Sequence, residues 1–352
     1  EALEADPGEY IIQSDHELPS HIIMPAIHKN KEQIAQLFNQ KVEPSVFAES
    51  AEEMTAIARK VLRRKFYHAD MGVSGVNFAI AETGTLCLVE NEGNGRFCTT
   101  LPPVHVALMG IEKVVEHLED VPPLLSLLTR SATGQAITTY FNMITSPRRE
   151  GEKDGPKNVY LILLDNGRTQ MYSDQLLRET LMCIRCGACM NHCPVYTRIG
   201  GHAYGTTYPG PIGKILTPQM KGLHKAGYLA DASSLCGACV EVCPVKIPIT
   251  EILLRLRHKN EGEKRRISIL SPKAWKARAT NLVWQGWKTV FANPEIYRLN
   301  SQGIAKLGNY IPHWMPVLRH WTSVRSPPVF AKKSLHQLVR EEGLSEEGLS
   351  YE

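Results

Sequence analysis

Seven of the nine cysteines lie in two short runs whose spacing suits the ligands of inorganic clusters. The first run is Cys183, Cys186, Cys189 and Cys193, which precedes Pro194, and the second is Cys236, Cys239 and Cys243, which precedes Pro244. Thiolates three residues apart on a loop can converge on one small cluster. In bacterial two-cluster ferredoxins, the cysteine before proline binds the other cluster. The sequence therefore predicts two iron-sulfur clusters.

This crossing rule assigns the ligands. The first cluster, predicted to be [4Fe-4S], takes Cys183, Cys186, Cys189 and Cys243. The second takes Cys193, Cys236 and Cys239. A complete second run would have a cysteine at position 233, where this chain has Ser233. The second cluster is therefore a [3Fe-4S] centre, a [4Fe-4S] centre with a ligand such as Ser233 or Asp231, or a site open to a partner.

Zinc and disulfides are the alternative uses of these cysteines. A zinc ribbon normally takes its four cysteines from two separate Cys-x-x-Cys pairs, whereas the first run has four thiols in one stretch, at steps of three, three and four residues. Disulfides are disfavoured because a reducing compartment keeps thiols free. Cys87 and Cys98 are isolated in sequence and are expected to be small apolar residues rather than ligands.

Composition describes an ordinary globular protein. Of the 352 residues, 43% are hydrophobic and 22% are charged, and the net charge of +4 is too small to indicate nucleic-acid binding. No apolar run is long enough to span a membrane. The predicted location is the cytoplasm, with a peripheral position at the inner membrane surface as the alternative. The chain opens like the middle of a domain, so we expect an N-terminal piece to be missing.

Residues 1–173 have alternating strand and helix signals. A capping box at Ser50 starts an amphipathic helix that ends near His68. Strand-like runs at 76–80 and 86–89 flank a glycine-containing turn and predict a strand pair. Further predictions are a strand at 104–109, a helix at 111–118 and a buried strand at 159–164. Together they indicate an α/β domain with a parallel or mixed sheet in three layers.

The segment Asn91-Glu92-Gly93-Asn94-Gly95-Arg96 is the predicted pocket of this domain, because glycine lets the backbone approach a ligand. Arg96 could clamp a carboxylate and Glu92 could act as a base, with His105 as a further candidate. The alternative for each of these three residues is that it is a surface pair or a turn residue without a catalytic role. The segment lacks the third glycine of a dinucleotide-binding fingerprint, and its sequence does not predict a following helix.

The predicted cluster domain spans residues 174–258. A helix at 174–182 leads into the first run, and another at 249–258 leaves the second. The 42 residues between Cys193 and Cys236 are expected to cover the clusters or to meet a partner. Residues 259–352 form an extension with all five tryptophans, which suit an interface, a membrane surface or simple packing. Its acidic end, 341–352, is expected to be disordered.

The chain resembles the lactate-utilisation iron-sulfur proteins of the LutB type. The resemblance rests on both cysteine runs and on the segments 75–79, 82–85, 91–96 and 200–205. It implies an α/β LUD domain, related to sugar-isomerase and CoA-transferase folds, followed by an α-helical two-cluster ferredoxin domain and a helical C-terminal extension. The family shares the missing first cysteine of the second run.

The resemblance also implies a role in oxidising L-lactate to pyruvate with two partners, a cysteine-cluster protein and a stand-alone LUD protein. We favour an electron-transfer subunit of an oxidoreductase complex, delivering electrons to a quinone or another carrier. The first alternative is that the LUD domain itself binds the hydroxy acid and is catalytic. The second is a scaffold in which the clusters only hold the fold together.

Overall fold

A computed structural model describes residues 1–44, 48–269, 274–310, 322–323, 325–326 and 328–342. The chain divides into two compact units, Glu1–Lys264 and Arg265–Glu352. The first half of the first unit contains the helices α1 (Pro7–Ser14), α2 (Lys31–Leu37), α3 (Ala51–His68), α4 (Asn94–Thr100) and α5 (Val121–Thr133). A short π-helix, Phe38–Val42, continues α2.

Helix α3 begins and ends where the sequence predicts. The Ser50 side chain accepts a hydrogen bond from the Glu53 backbone amide, and the Glu53 side chain accepts one from the Ser50 amide. This reciprocal cap satisfies two amides that have no partner within the helix. The buried face of α3 includes Met54 and Leu62. The prediction that the apolar face of this helix packs in the core is therefore confirmed.

The described residues of this unit form two separate sheets. The strands are β1 (Met71–Gly75), β2 (Phe78–Ile80), β3 (Thr85–Glu90), β4 (Val104–Gly110), β5 (Val114–Val115), β6 (Tyr140–Ile144) and β7 (Asn158–Leu164). The first sheet is parallel, in the order β1-β4-β7, and the second is mixed, in the order β5-β2-β3-β6. The predicted strand pair is confirmed, because β2 pairs antiparallel with β3 and sets Phe78 opposite Cys87.

Two predictions for this region are wrong. Residues 111–118 do not form a helix, because Val114 and Val115 pair with β2 as a short strand between two 3-10 turns. β-branched side chains suit that pairing better than a helix. Strand β7 exists, but six of its seven residues are exposed rather than buried. Among the described strands it pairs with β4 alone and lies at the edge of the sheet.

The cysteine-bearing region is made of short helices. They are α6 (Arg168–Tyr172), α7 (Ala188–Asn191), α8 (Pro194–Ile199), α9 (Gly210–Lys221), α10 (Leu223–Ala226), α11 (Tyr228–Asp231) and α12 (Ala238–Glu241), followed by the long α13 (Ile249–Ile269). The helix predicted at 174–182 is a 3-10 helix, Leu177–Met182. The helix predicted at 249–258 is confirmed as the start of α13.

A buried apolar cluster joins α9 and α13 to the cysteines. Ile212 and Ile215 of α9 and Ile252 of α13 pack in one core with Cys239 and Cys243. Helix α9, which lies between the two cysteine runs, therefore packs against the thiols. This agrees with the prediction that the segment covers the clusters.

The second unit contains α14 (Ala274–Ala292), α15 (Pro294–Leu307) and α16 (Leu335–Glu341). Trp284 and Trp287 of α14 are exposed, and the Trp287 ring stacks on Phe291 with centroids 4.5 Å apart. Trp314, Trp321 and residues 343–352 of the predicted disordered end lie outside the described residues. Within the described helices, none is both long and apolar enough to cross a membrane.

Candidate functional site

The first cysteine run follows a tightly turned path. Cys183 ends the 3-10 helix that precedes the run, and its sulfur accepts a hydrogen bond from the Arg185 amide at 3.4 Å. Gly187 has a φ of 76°, a left-handed conformation that glycine adopts without strain, and it starts α7. Cys193 then caps α8, where its sulfur accepts from the Tyr196 amide.

Four thiols from both runs meet at one cavity. Its lining includes Cys183, Cys186, Cys189 and Cys243, the four cysteines that the crossing rule assigns to the first cluster. Most other lining side chains are apolar, among them Ile22, Ile184, Ile212, Val245, Ile247 and Ile249. Thiolate ligands in an apolar, largely water-free surrounding suit an iron-sulfur cluster, so these residues fit that group.

The thiols raise one another's pKa in two groups. Negative charge at Cys186 would raise the pKa of Cys183, and negative charge at Cys243 would raise that of Cys186. Negative charge at Cys193 and Cys236 would raise the pKa of Cys239, and the crossing rule assigns these three to the second cluster. Cys239 of the second group packs in the same buried core as Cys243 of the first, so the two groups are neighbours.

Burial dominates the acid-base chemistry of four of these thiols. It raises the pKa of Cys183, Cys186 and Cys189, and it raises that of Cys239 to about 11, with help from Cys193 and Cys236. Metal ligation requires the thiolate, so binding iron would release the thiol protons.

The spacing of the thiols does not suit a single ion. Among the described residues, no group of three or more His, Cys, Asp or Glu side chains is close enough to hold one metal ion. A tetrahedral zinc site needs four ligand atoms about 2.0 to 2.3 Å from the metal. All nine cysteines are free of disulfides. The positive support for a multi-iron group is the donor set itself, four thiols around one apolar cavity.

Sequence reasoning missed a buried lysine at the second set of thiols. Lys214 of α9 is 1% exposed, and its Nζ donates to Cys193 Sγ at 3.8 Å. Burial lowers the pKa of Lys214, while negative charge at Cys193 and Cys239 raises it. The only sequence signal is its position between Ile212 and Ile215, which are buried on the same helix.

The proposed fourth ligands of the second cluster differ in their surroundings. Ser233 is half-buried, and its Oγ accepts a hydrogen bond from the Leu235 amide at 3.2 Å. Asp231 is exposed, and its carboxylate lies 3.7 Å from the Arg257 guanidinium. Cys236 is also exposed. In the second set, exposure is confined to Cys236, because Cys193 and Cys239 are buried.

The predicted pocket residues of the LUD domain do not form one constellation. A helix does follow the glycine-rich segment, contrary to the sequence prediction, since α4 begins at Asn94 with Gly93 at φ 82°. Glu92 is exposed at the surface, yet its pKa is raised to about 7. The largest cause is partial desolvation of the carboxyl group, followed by repulsion from the carboxylates of Asp6 and Glu90.

Arg96 and His105 have different partners. The Arg96 guanidinium lies 5.9 Å from the centroid of the Tyr140 ring, and its amide donates to Glu90. His105 is buried on β4, with Nε2 2.8 Å from Ser74 Oγ, and burial lowers its pKa. In the described part of the chain, no hydrogen bond or ion pair joins Glu92, Arg96 and His105.

A larger cavity lies beside the first set of thiols and was not predicted. It measures about 580 Å³ and is lined by Ile111, Glu112, Val114, Arg168, Thr169, Tyr172, Arg178, Glu179, Leu181 and Met182. Arg168 and Glu112 form a buried ion pair there, with Nε and Oε2 2.5 Å apart. The adjacent Lys113 donates from Nζ to the Cys183 carbonyl at 2.7 Å. No spacing in the sequence links these positions.

The isolated cysteines lie apart from the cluster cavity. Cys87 is fully buried on β3, Cys98 is half-buried on α4, and neither lines that cavity. Burial raises the pKa of both thiols to about 11.

Three family models match successive parts of the chain. A LUD domain matches residues 1–164, a 4Fe-4S dicluster domain matches 179–247, and the C-terminal region of lactate utilisation protein B matches 255–344. A crystal structure of a DUF162 family protein from Deinococcus radiodurans is 18% identical, covers 28% of this chain and 56% of its own, and has a TM-score of 0.21. That score is too low to carry an argument.

Whole-chain comparisons agree with the family models. Lactate utilization protein B from Shouchella clausii strain KSM-K16 is 42% identical over 95% of this chain and 69% of its own length. The protein of the same name from Bacillus subtilis strain 168 is 48% identical over 79% of this chain and 58% of its own length. The chain thus belongs to the lactate utilisation protein B family.

Proposed function

We propose that this chain is the iron-sulfur electron-transfer subunit of a complex that oxidises L-lactate to pyruvate. One observation carries the proposal: four cysteines from two runs about fifty residues apart line a single apolar cavity. Iron-sulfur clusters bound by these cysteines would accept and donate single electrons. The names of the related proteins supply the substrate.

The proposal includes two clusters. The first is [4Fe-4S] and takes Cys183, Cys186, Cys189 and Cys243. The second takes Cys193, Cys236 and Cys239 and is [4Fe-4S] or [3Fe-4S]. Cys239 of the second set packs in the same buried apolar core as Cys243 of the first, which supports a short path between the two clusters. We assign the ligands to residues 174–258, between a LUD domain at 1–173 and a helical extension at 259–352.

Each set of residues has a distinct task in this proposal. The apolar side chains around the first set exclude water, which keeps electrostatic interactions strong. Lys214 sets a positive charge beside Cys193 in the second set. The exposed Cys236 puts the second set nearer to solvent, which suits exchange of electrons with a partner or carrier.

Lactate oxidation releases two electrons and two protons, so a centre that handles electron pairs is needed elsewhere in the complex. We propose that the two partners are a cysteine-cluster protein and a stand-alone LUD protein, and that the acceptor is a quinone or another redox carrier. The complex would work in the cytoplasm or at the inner surface of the membrane.

Reconstitution tests this function. The chain, purified without oxygen and combined with its two partners, should reduce an acceptor dye when L-lactate is added. Cys189→Ser should abolish most of this activity and remove iron, whereas the control Cys98→Ser should retain both, because Cys98 does not line the cavity. Full lactate-dependent activity in a Cys189→Ser chain without iron would reject the proposal.

A second candidate function makes the LUD domain the site of substrate binding. The pKa of about 7 at Glu92 favours it, because a carboxylate with that pKa can act as a base near neutral pH. Arg96 would hold the lactate carboxylate. Calorimetric titration of lactate against the chain and against Arg96→Ala tests this, and equal heats from both would reject it.

A further inference from the structure

The two cysteine runs repeat one pattern at an offset of 50 residues. Cys236, Cys239 and Cys243 lie 50 positions after Cys186, Cys189 and Cys193. At the same offset, Ser233 corresponds to Cys183. A repeat in sequence does not guarantee a repeat in structure, so the local geometry of the two segments has to be compared.

The backbone repeats at the same offset. Arg185 has a φ of 62° and Leu235 has a φ of 57°, which is an uncommon conformation for residues other than glycine. Gly187 and Gly237 follow with φ angles of 76° and 86°. Both segments therefore make the same pair of left-handed turns.

The helical turns and their hydrogen bonds repeat as well. Each glycine starts a four-residue helix, α7 in the first run and α12 in the second. The Met190 amide donates to the Gly187 carbonyl at 2.9 Å, and the Val240 amide donates to the Gly237 carbonyl at 2.8 Å. The two loops thus present their side chains at corresponding positions.

The decisive correspondence is at the first position. In the first run the Arg185 amide donates to Cys183 Sγ at 3.4 Å, and in the second the Leu235 amide donates to Ser233 Oγ at 3.2 Å. Ser233 Oγ therefore stands in the second loop where a ligand sulfur stands in the first.

We propose that Ser233 is the fourth protein ligand of the second cluster, completing the set Ser233, Cys193, Cys236 and Cys239. This inference rests on the iron-sulfur sites of the proposed function and extends them. On binding, a bond forms between Ser233 Oγ and one iron, and the hydroxyl proton passes to solvent. The second cluster is then a four-iron cluster with one oxygen ligand.

The surroundings select Ser233 over Asp231. The Asp231 carboxylate is exposed and faces Arg257, with 3.7 Å between Nε and Oδ1. Arg257 also donates to the carbonyls of Ala230 and Ser233, both at 2.9 Å. The guanidinium thus holds Asp231 in an ion pair and fixes the backbone on which Ser233 is presented.

An oxygen ligand gives the second cluster a chemical signature. Iron of such clusters prefers soft thiolates, so an alkoxide corner is easier to lose than a thiolate corner. The iron bound by Ser233 should be the first to leave on oxidation, and a cysteine at this position should retain it.

The test uses the full chain, purified without oxygen and titrated with ferricyanide. Iron and acid-labile sulfide are counted, and Mössbauer and electron paramagnetic resonance spectra distinguish three-iron from four-iron centres. In Ser233→Ala we expect loss of about one iron atom per chain and a three-iron signal at much lower oxidant than in the unmodified chain. Ser233→Cys should resist this loss, and Asp231→Asn should match the unmodified chain.

Several outcomes would overturn the inference. They are identical iron loss in Ser233→Ala and the unmodified chain, iron loss in Asp231→Asn instead, or a three-iron second cluster in the unmodified chain prepared without oxidant. Should Ser233→Ala not fold, the comparison of Ser233→Cys with the unmodified chain decides, because equal resistance to oxidation contradicts an oxygen ligand. An unmodified chain with no iron or sulfide would instead reject the proposed function.

Discussion

Replacing Lys214 by methionine should lower the reduction potential of the second cluster. Lys214 is buried on α9, and its Nζ donates to Cys193 Sγ at 3.8 Å. Reduction adds a negative charge to the cluster that Cys193 would hold. A nearby cation stabilises that added charge, so its removal makes reduction less favourable. Methionine has a similar length and can occupy the buried position.

The magnitude follows from Coulomb's law. Two unit charges 3.8 Å apart interact by roughly 4 kcal/mol at an effective dielectric constant of about 20. For one electron, about 1.4 kcal/mol corresponds to about 59 mV, which gives about 170 mV as an upper limit. The added electron is shared over the whole cluster, at a greater mean distance than the sulfur. We therefore expect a decrease on the order of 50 to 100 mV.

Potentiometric titration followed by electron paramagnetic resonance measures this shift. Lys214→Arg should have nearly the same reduction potential as the unmodified chain, because arginine retains the positive charge. Lys221→Met is the matched control, since Lys221 lies on the same helix but is exposed. Equal potentials in Lys214→Met and the unmodified chain would refute the reasoning, and so would an equal shift in Lys221→Met.

Three further predictions concern stability. Ser50→Ala removes the reciprocal cap of α3 and should lower the free energy of unfolding by about 1 kcal/mol in urea denaturation; an unchanged midpoint would contradict the role of the cap. Burial raises the pKa of Glu9 to about 8, so the stability that its protonated form contributes is complete below pH about 4.5 and lost as the pH rises towards 8. Glu9→Gln should flatten this pH profile, and an unaltered profile would show that another group causes it. Gly201→Ala would place a Cβ 1.8 Å from the Ser20 carbonyl oxygen, so we expect a loss of about 1 to 3 kcal/mol in thermal unfolding, while Gly75→Ala meets no atom within 4 Å and should cost less.

Local signals in the sequence predicted local structure well. The capping box at Ser50 defines the start of α3 because its hydrogen bonds involve only neighbouring residues. The sequence also allowed the grouping of four cysteines at one cavity to be predicted, because cluster chemistry restricts the spacing of the ligands. In both cases the residues that determine the outcome lie within the pattern itself.

Features that depend on distant residues escaped sequence reasoning. Val114 and Val115 fit a helical period, but pairing with β2 made them a strand. The apolar run of β7 resembles a buried strand, yet its edge position exposes it. Lys214 reads as a surface residue, and only the packing of α9 in the apolar core shows that it is buried.

The two loops explain how a ligand can change while a site persists. Their shape comes from left-handed residues and glycines, Arg185 and Gly187 in one loop and Leu235 and Gly237 in the other. None of these residues is a ligand, so the path of the backbone does not depend on a thiol at position 233. In the proposed site, a serine at this position preserves the loop and alters only the atom offered to iron. The chemistry of the second cluster could thus diverge from that of the first without any change in fold.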